Sequence, residues 1–283
     1  MDDVCFGENT IEAAKHRILR VFAMFEDGHM PLKKWSSNSQ EIGDFIRGQS
    51  PVPDPIITTN HAEAKFLGIP WNQGSDRLSA PVDKAWETLT AGTPCKRRLL
   101  RSLASIFDPL GIVAPLTMNA KILLQSTWKT KLGWDSTLSE TQTTEFNVFA
   151  ETLKAAKDLS IPRLMLGSNE VSRTLHIFCD ASLKAYGCVA YLREESNNDE
   201  PYVSFVIAKA RVAPIKAMTI HRLELLAALI GAKISKLISS CLDHKLSRTQ
   251  FYSDNSSVVG WIRSNPEKFK PFVANRIRRI QTL

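Results

Sequence analysis

The chain has 283 residues, 43% hydrophobic and 23% charged, an ordinary balance for a globular protein and enough length for two compact domains. No apolar run approaches the roughly 18 residues of a membrane helix, so no membrane partner is expected, and Met1-Asp2-Asp3-Val4-Cys5 lacks the basic start and apolar core of a secretory signal. A net charge of +7 and a pI of about 9.2 favour a polyanionic partner such as nucleic acid. The cysteines (Cys5, Cys95, Cys179, Cys188, Cys241) are odd in number and form no Cys-x-x-Cys pair, which excludes that zinc or redox motif. They are expected to be reduced and mostly buried in an intracellular protein.

In chain order, Ile11, Ala14, Ile18, Phe22 and Phe25 are spaced three and four apart, which predicts an amphipathic helix over 11–26 with Thr10 as N-cap and Gly28 as stop. Residues 36–62, rich in Ser, Asn and Pro, read as loop or linker. Phe66-Leu-Gly-Ile-Pro-Trp71 reads as a short strand. A helical region over Lys96–Leu132 is expected to break at Asp108-Pro109-Leu-Gly111, a turn signal, and again at Pro115. Trp128 and Trp134 are expected in the core. Residues 139–158 read as helix, closed by Ile161-Pro162.

The texture changes at Arg173. Leu175, Ile177 and Cys179 alternate with His176, Phe178 and Asp180, the period of a strand. A turn at 182–184, strands at 186–192 and 202–207 around a polar loop at 194–200, a long helix at 219–240, a strand at 250–253 and a helix from 256 complete a β-β-β-α-β-α order. The long helix places Leu223, Leu226, Ala227, Ile230, Ile234, Leu237 and Ile238 on one face. In this reading three strands are antiparallel and the fourth adds parallel to the first.

Asp180 ends the first of these strands, Glu224 opens the long helix and Asp254 follows the last strand. Polar groups at strand ends and helix starts of an α/β sheet gather at one edge. Carboxylate oxygen suits hard Mg²⁺, and two such ions about 3.5–4 Å apart can promote phosphodiester hydrolysis. Each acid also has a plainer reading. Asp180 can form a turn, Asp254 can cap the next helix, and Glu224 suits the positive end of a helix dipole.

The words around these acids carry a resemblance. Ile177-Phe-Cys-Asp180-Ala-Ser-x-x-Ala-Tyr-Gly187, Ala208-Lys-Ala-Arg-Val-Ala-Pro214, Arg222-Leu-Glu224-Leu and Tyr252-Ser-Asp254-Asn-Ser resemble the ribonuclease H region of Bel/Pao-type LTR retrotransposon pol polyproteins. Upstream, Lys96-Arg-Arg-Leu-Leu, Ile106-Phe-Asp-Pro-Leu-Gly111, Ala120-Lys-Ile-Leu-Leu-Gln125 and Trp128-Lys-Thr-Lys-Leu-Gly-Trp-Asp135 resemble the segment joining polymerase and ribonuclease H. Lys34-Trp-Ser-Ser-Asn-Ser39 and Phe66-Leu-Gly-Ile-Pro-Trp71 resemble the end of the reverse transcriptase palm. The resemblance covers essentially the whole chain.

It implies an α/β fold in three parts: a partial palm at 1–75, a mainly helical connection at 76–165 and a ribonuclease H-like domain at 166–283, its mixed sheet truncated at the C-terminus. It implies that Asp180, Glu224 and Asp254 are three of four metal-binding acids for Mg²⁺ or Mn²⁺, two ions in all, cutting RNA in an RNA–DNA hybrid. The fourth acid would lie past Leu283, which would impair catalysis. Asp2 and Asp3 match the end of the polymerase Tyr-x-Asp-Asp word, but without the rest of the palm no polymerase activity is expected. His221 stands where the family more often has Pro, and offers either a metal ligand or a surface histidine.

Lys268, Lys270, Arg276, Arg278 and Arg279, interleaved with Trp261 and Phe269, are expected to follow a phosphate backbone. The other expected partner is the remainder of the polyprotein, in a cytoplasmic retroelement particle. The alternative is a non-catalytic, nucleic-acid-binding remnant. The family also carries a peptidase label. An aspartic peptidase needs two Asp sharing a proton, usually in Asp-Thr-Gly or Asp-Ser-Gly, and neither word occurs; Asp135-Ser-Thr and Asp180-Ala-Ser come nearest.

Overall fold

The computed structural model describes residues 4–49, 56–58, 63–167, 172–195, 200–242 and 246–283. It divides into two compact units, Met1–Ser79 and Ala80–Leu283.

In the first unit, helix α1 (Ile11–Asp27) begins where the Ala13 N–H donates to Thr10 Oγ1 at 3.2 Å. Gly28 ends it in an ordinary right-handed conformation, and the left-handed turn falls on His29, with φ 53°. Strand β1 (Lys34–Ser36) leads into α2 (Gln40–Gln49), which lies inside the stretch expected to be loop. Ile42 and Ile46, one turn apart, bury against Ile18 and Phe22 of α1, so apolar spacing outweighs the polar composition around it. Strand β2 (Ile56–Thr58) pairs parallel with β1. Strands β3 (Glu63–Phe66), β4 (Ile69–Asn72) and β5 (Arg77–Ser79) run antiparallel in sequence. The Phe66–Trp71 run is therefore a hairpin, not one strand. Leu67 and Gly68, at φ 50° and 83°, make its two-residue turn, as a primed hairpin turn requires.

The second unit opens with helices α3 (Asp83–Thr90), α4 (Lys96–Ser105), α5 (Ala114–Lys129) and α6 (Glu140–Ala155), packed around Leu89, Leu99, Leu123, Phe146 and Leu153. Pro115 does not break a helix. It sits in the first turn of α5, where its missing N–H costs nothing. The break is Asp108, whose carboxylate accepts from the N–H groups of Gly111, Ile112 and Val113 at 2.8–2.9 Å. Asp108→Ala leaves three donors without this partner and is expected to destabilise the chain by about 2 kcal/mol. A thermal melt unchanged from wild type would contradict that reading.

Trp128 and Trp134 are not core residues; they are 48% and 40% exposed. Between them lies the buried Lys96, its Nζ 3.2 Å and 4.9 Å from the two ring centres. The rings cover a cation instead of filling apolar space.

After the short strand β6 (Ser160–Pro162), β7 (Ser172–Ala181), β8 (Ala185–Glu195) and β9 (Tyr202–Val212) form an antiparallel meander. Helix α7 (Ile220–Cys241) crosses its face, and β10 (Arg248–Tyr252) adds parallel to β7. The strand order is β10-β7-β8-β9, a mixed α/β sheet in the expected β-β-β-α-β-α order. Leu175, Ile177 and Cys179 face Ala227, Ile234 and Ile238 of α7. Leu237, expected on that face, is exposed. Leu225 instead buries a second face of α7 against α8 (Ser256–Arg263) and α9 (Pro271–Gln281), with Val258, Val273 and Ile277. The helical layer meets the sheet at β9, where Leu110 accepts from the Ala208 N–H at 2.8 Å and the Gln125 amide donates to the Ala213 carbonyl at 2.7 Å.

Cys179 and Cys188 face each other across β7 and β8 and are buried, whereas Cys5 and Cys241 are exposed, against expectation. Among the described residues no helix is long and apolar enough to cross a membrane.

Candidate metal centre

Because β10 runs parallel to β7, the C-terminal ends of both strands reach the same edge of the sheet. Asp180 is the penultimate residue of β7, and Asp254 follows β10 by two residues. Helix α7 starts above that edge and turns Glu224, its fifth residue, toward the two aspartates. One carboxylate oxygen from each of the three acids lies within 4.8 Å of the others. Asp180 and Asp254 are exposed, while Glu224 is 4% exposed.

The plainer roles fit these positions less well. Asp254 does not cap α8, because the Asn255 side chain does so, accepting from the Val258 N–H at 3.1 Å. Glu224 lies beyond the first helical turn. Asp180 keeps a local contact, accepting from its neighbour's Ala181 N–H at 2.7 Å.

Glu224 carries the electrostatic signature of the cluster. Burial, then the negative charges of Asp180 and Asp254, push its carboxyl up to about 6; a hydrogen bond from the Ala181 backbone and the nearby His221 pull the other way. Its Oε2 is buried with no hydrogen-bond partner. A buried acceptor beside two further carboxylates is the donor set a hard divalent cation prefers. His221 is not among the converging oxygens. Its ring nitrogen pairs with the Asn255 amide at 2.9 Å, and the ring meets Trp261 edge-on.

The basic residues separate. Lys268, Lys270, Arg278 and Arg279 are exposed, and Arg278 pairs with Glu267 at 2.5 Å. Arg276 folds inward over the Phe272 ring, 3.5 Å from its centre. Asp2 and Asp3 lie outside the described residues. Sequence reasoning assigned no role to Asn255, although its spacing to Val258 is that of an N-cap.

The family model described as the Pao retrotransposon-like RNaseH-like domain matches residues 95–255, which hold all three carboxylates. The chain belongs to this family. The Pao match begins at Cys95, the N-cap of α4, so the family domain takes in α4, α5 and α6 as well as the sheet. No curated protein matches the chain. Two solved structures are similar to it. One is the foamy viral protease-reverse transcriptase in complex with dsDNA, at 16% identity over 79% of this chain and 43% of that one, TM-score 0.40. The other is the dRH form of the same viral protein with dsDNA, at 14% identity over 98% of this chain and 42% of that one, TM-score 0.45. The Pao-family chain spans less than half the length of either.

Proposed function

We propose that the chain is a piece of a retrotransposon pol polyprotein whose ribonuclease H-like region, residues 166–283, cuts the RNA strand of RNA–DNA hybrids. Residues 1–75 and 76–165 then correspond to the end of a reverse transcriptase palm and to the connection. The observation that carries the reading is the convergence of Asp180, Glu224 and Asp254 from three elements within a Pao-family domain. These carboxylates would hold Mg²⁺ or Mn²⁺, two ions in all. Divalent ions in such a site supply Lewis acidity, making water a nucleophile near neutral pH and offsetting charge on the leaving oxygen. The chain's own part is to hold the oxygens in place. Asp180 stands at the penultimate position of β7, Asp254 two residues past β10, and Glu224 is fixed by α7 packing on two faces. Exposed Lys268, Lys270 and Arg279 would meet the phosphate backbone, and hybrid geometry would be read by shape and 2′-hydroxyls.

No comparable chemistry supports proteolysis. Asp135, in one of the two nearest words, is engaged by Arg97 through two bonds at 2.7 and 2.9 Å. The test is hydrolysis of end-labelled RNA, in a hybrid or single-stranded, with Mg²⁺ or Mn²⁺. Product from the hybrid supports the proposal. Tight hybrid binding without product under either ion would instead favour a non-catalytic nucleic-acid-binding remnant.

Metal binding has a readout independent of turnover. Because the folded state raises the Glu224 pKa, it holds that proton more tightly than the unfolded chain, and metal-free stability falls as pH rises from about 4.5 through about 6. At neutral pH, Mg²⁺ at about tenfold over its Kd should restore about 1.4 kcal/mol, a rise of roughly 3–6 °C in Tm. Glu224→Gln should start from a higher metal-free Tm and gain less from Mg²⁺. An equal Mg²⁺ shift in both proteins would place the ion elsewhere.

A further inference from the structure

Two thiols lie behind the carboxylate cluster, and neither metal binding nor contact with nucleic acid gives them a task. Cys179 precedes Asp180 on β7, and Cys188 is its direct partner on β8. Both are buried, 6% and 7% exposed, in the core between the sheet and α7. The Cys179 sulfur lies against Gly231 of α7, where an added Cβ would stand 2.6 Å from it. Gly231 is two helical turns beyond Glu224.

The register fixes which kind of cross-strand pair this is. Along an antiparallel ladder, hydrogen-bonded and non-hydrogen-bonded pairs alternate. At the head of the hairpin the Ser182 N–H donates to the Ala185 carbonyl at 2.7 Å, which makes Ser182 and Ala185 a bonded pair. Counting back through Ala181–Tyr186 and Asp180–Gly187 puts Cys179–Cys188 at a non-bonded position. Side chains come closest there, with Cα atoms about 4.5 Å apart, inside the roughly 4.4–6.8 Å that a disulfide spans. The two thiols are already in contact, joined by a side-chain hydrogen bond. Packing alone asks only for small apolar groups, such as Ala190 and Ala227 in the same core. Two sulfurs set opposite each other add a chemistry that packing does not need.

We propose that Cys179 and Cys188 are an oxidation-sensitive pair that a hydroperoxide converts, in the folded protein, to a cross-strand disulfide. The hydroperoxide oxidises one thiol to a sulfenic acid; its O–O bond breaks, and water leaves from H₂O₂ or an alcohol from an organic hydroperoxide. The opposite sulfur then attacks the sulfenic sulfur, the S–S bond forms and water leaves. Two thiols thereby lose two electrons and two protons, all taken up by the peroxide. The reaction asks nothing of the metal site and does not rest on nuclease activity. The bond closes next to Asp180 and draws the Cys179 sulfur away from Gly231, so the redox state of the chain is felt at the edge where the carboxylates meet.

The test uses the full reduced chain, dilute and in EDTA, treated with H₂O₂ and then unfolded in N-ethylmaleimide. Trypsin cuts after Arg173, Lys184 and Arg193, so the two cysteines fall in separate peptides, 174–184 and 185–193. Mass spectrometry without reductant should find these peptides joined, lighter than their sum by two hydrogens, and dithiothreitol should separate them. The oxidised chain should melt several degrees higher, because the bond also closes a loop of about ten residues in the unfolded chain. Cys188→Ser should give neither the joined peptides nor the higher melt. The exposed Cys241 reports that oxidant has reached the protein. If Cys241 is consumed while Cys179 and Cys188 both take up maleimide, or if the two are oxidised separately, the proposal is overturned. A joined pair that forms only in guanidinium, or that lowers the melt, overturns it too, since the bond would then belong to the unfolded chain.

Discussion

Asp180→Asn is expected to abolish metal-dependent cleavage of an RNA–DNA hybrid, by at least roughly a hundredfold, or about 2.7 kcal/mol of transition-state stabilisation. The substitution keeps the shape and the local bond from the Ala181 N–H but removes the charge. With one of three converging oxygens neutral, the site loses affinity for a divalent cation, and the repulsion on Glu224 falls at the same time. The variant should therefore lose activity while its metal-free melt stays level or rises, and hybrid affinity in EDTA should be unchanged. Loss of activity through unfolding would look different, with a lower Tm and weaker binding. Equal cleavage by wild type and Asp180→Asn would sink the nuclease reading, because any product would come from elsewhere.

Gly111→Ala is expected to be the most damaging single change to the fold of the second unit. Gly111 has φ +81°, and a Cβ there would stand 2.2 Å from the Ala208 carbonyl oxygen. The left-handed backbone alone costs an alanine about 1 kcal/mol or more. The clash is with strand backbone, so it is relieved only by parting Leu110 from Ala208 and freeing a strand N–H. A loss of about 3 kcal/mol or more follows, a fall of roughly 6–12 °C in Tm. Gly260→Ala is the control. Nothing lies within 4 Å of its added Cβ, and in the middle of α8 alanine should raise stability slightly. Differential scanning fluorimetry on the two variants decides it, and a Gly111→Ala melt within a degree of wild type would refute the packing argument.

Much of the second unit was legible because its patterns are periodic. The alternation of Leu175, Ile177 and Cys179 with polar neighbours, and the helical spacing on α7, follow from burial of one face. The three acids were legible through the words around them. Other features were hidden for physical reasons. Helix α2 sits in a polar, Pro-flanked stretch, where Ile42 and Ile46, with Phe45 beside them, report the buried side. Trp128 and Trp134 lie outside the core because tryptophan can shield a lysine as well as fill apolar space. The basic run at the C-terminus reads in sequence as one surface. Helical geometry divides it, since Arg276 lies next to the buried Ile277 and turns inward while Arg279 does not.

The contact between the helical layer and β9 bears on solubility. Strand β9 is 11 residues long and would otherwise end the sheet with a row of open backbone groups, which invites pairing with another chain. Leu110 occupies part of that row, and α5 lies along it. The opposite edge, β10, is only 5 residues long and begins with Arg248, which makes it a poor template. A shortened chain begun at residue 166 to isolate the sheet would uncover the long edge. It should therefore form oligomers or precipitate where the longer chain stays dispersed.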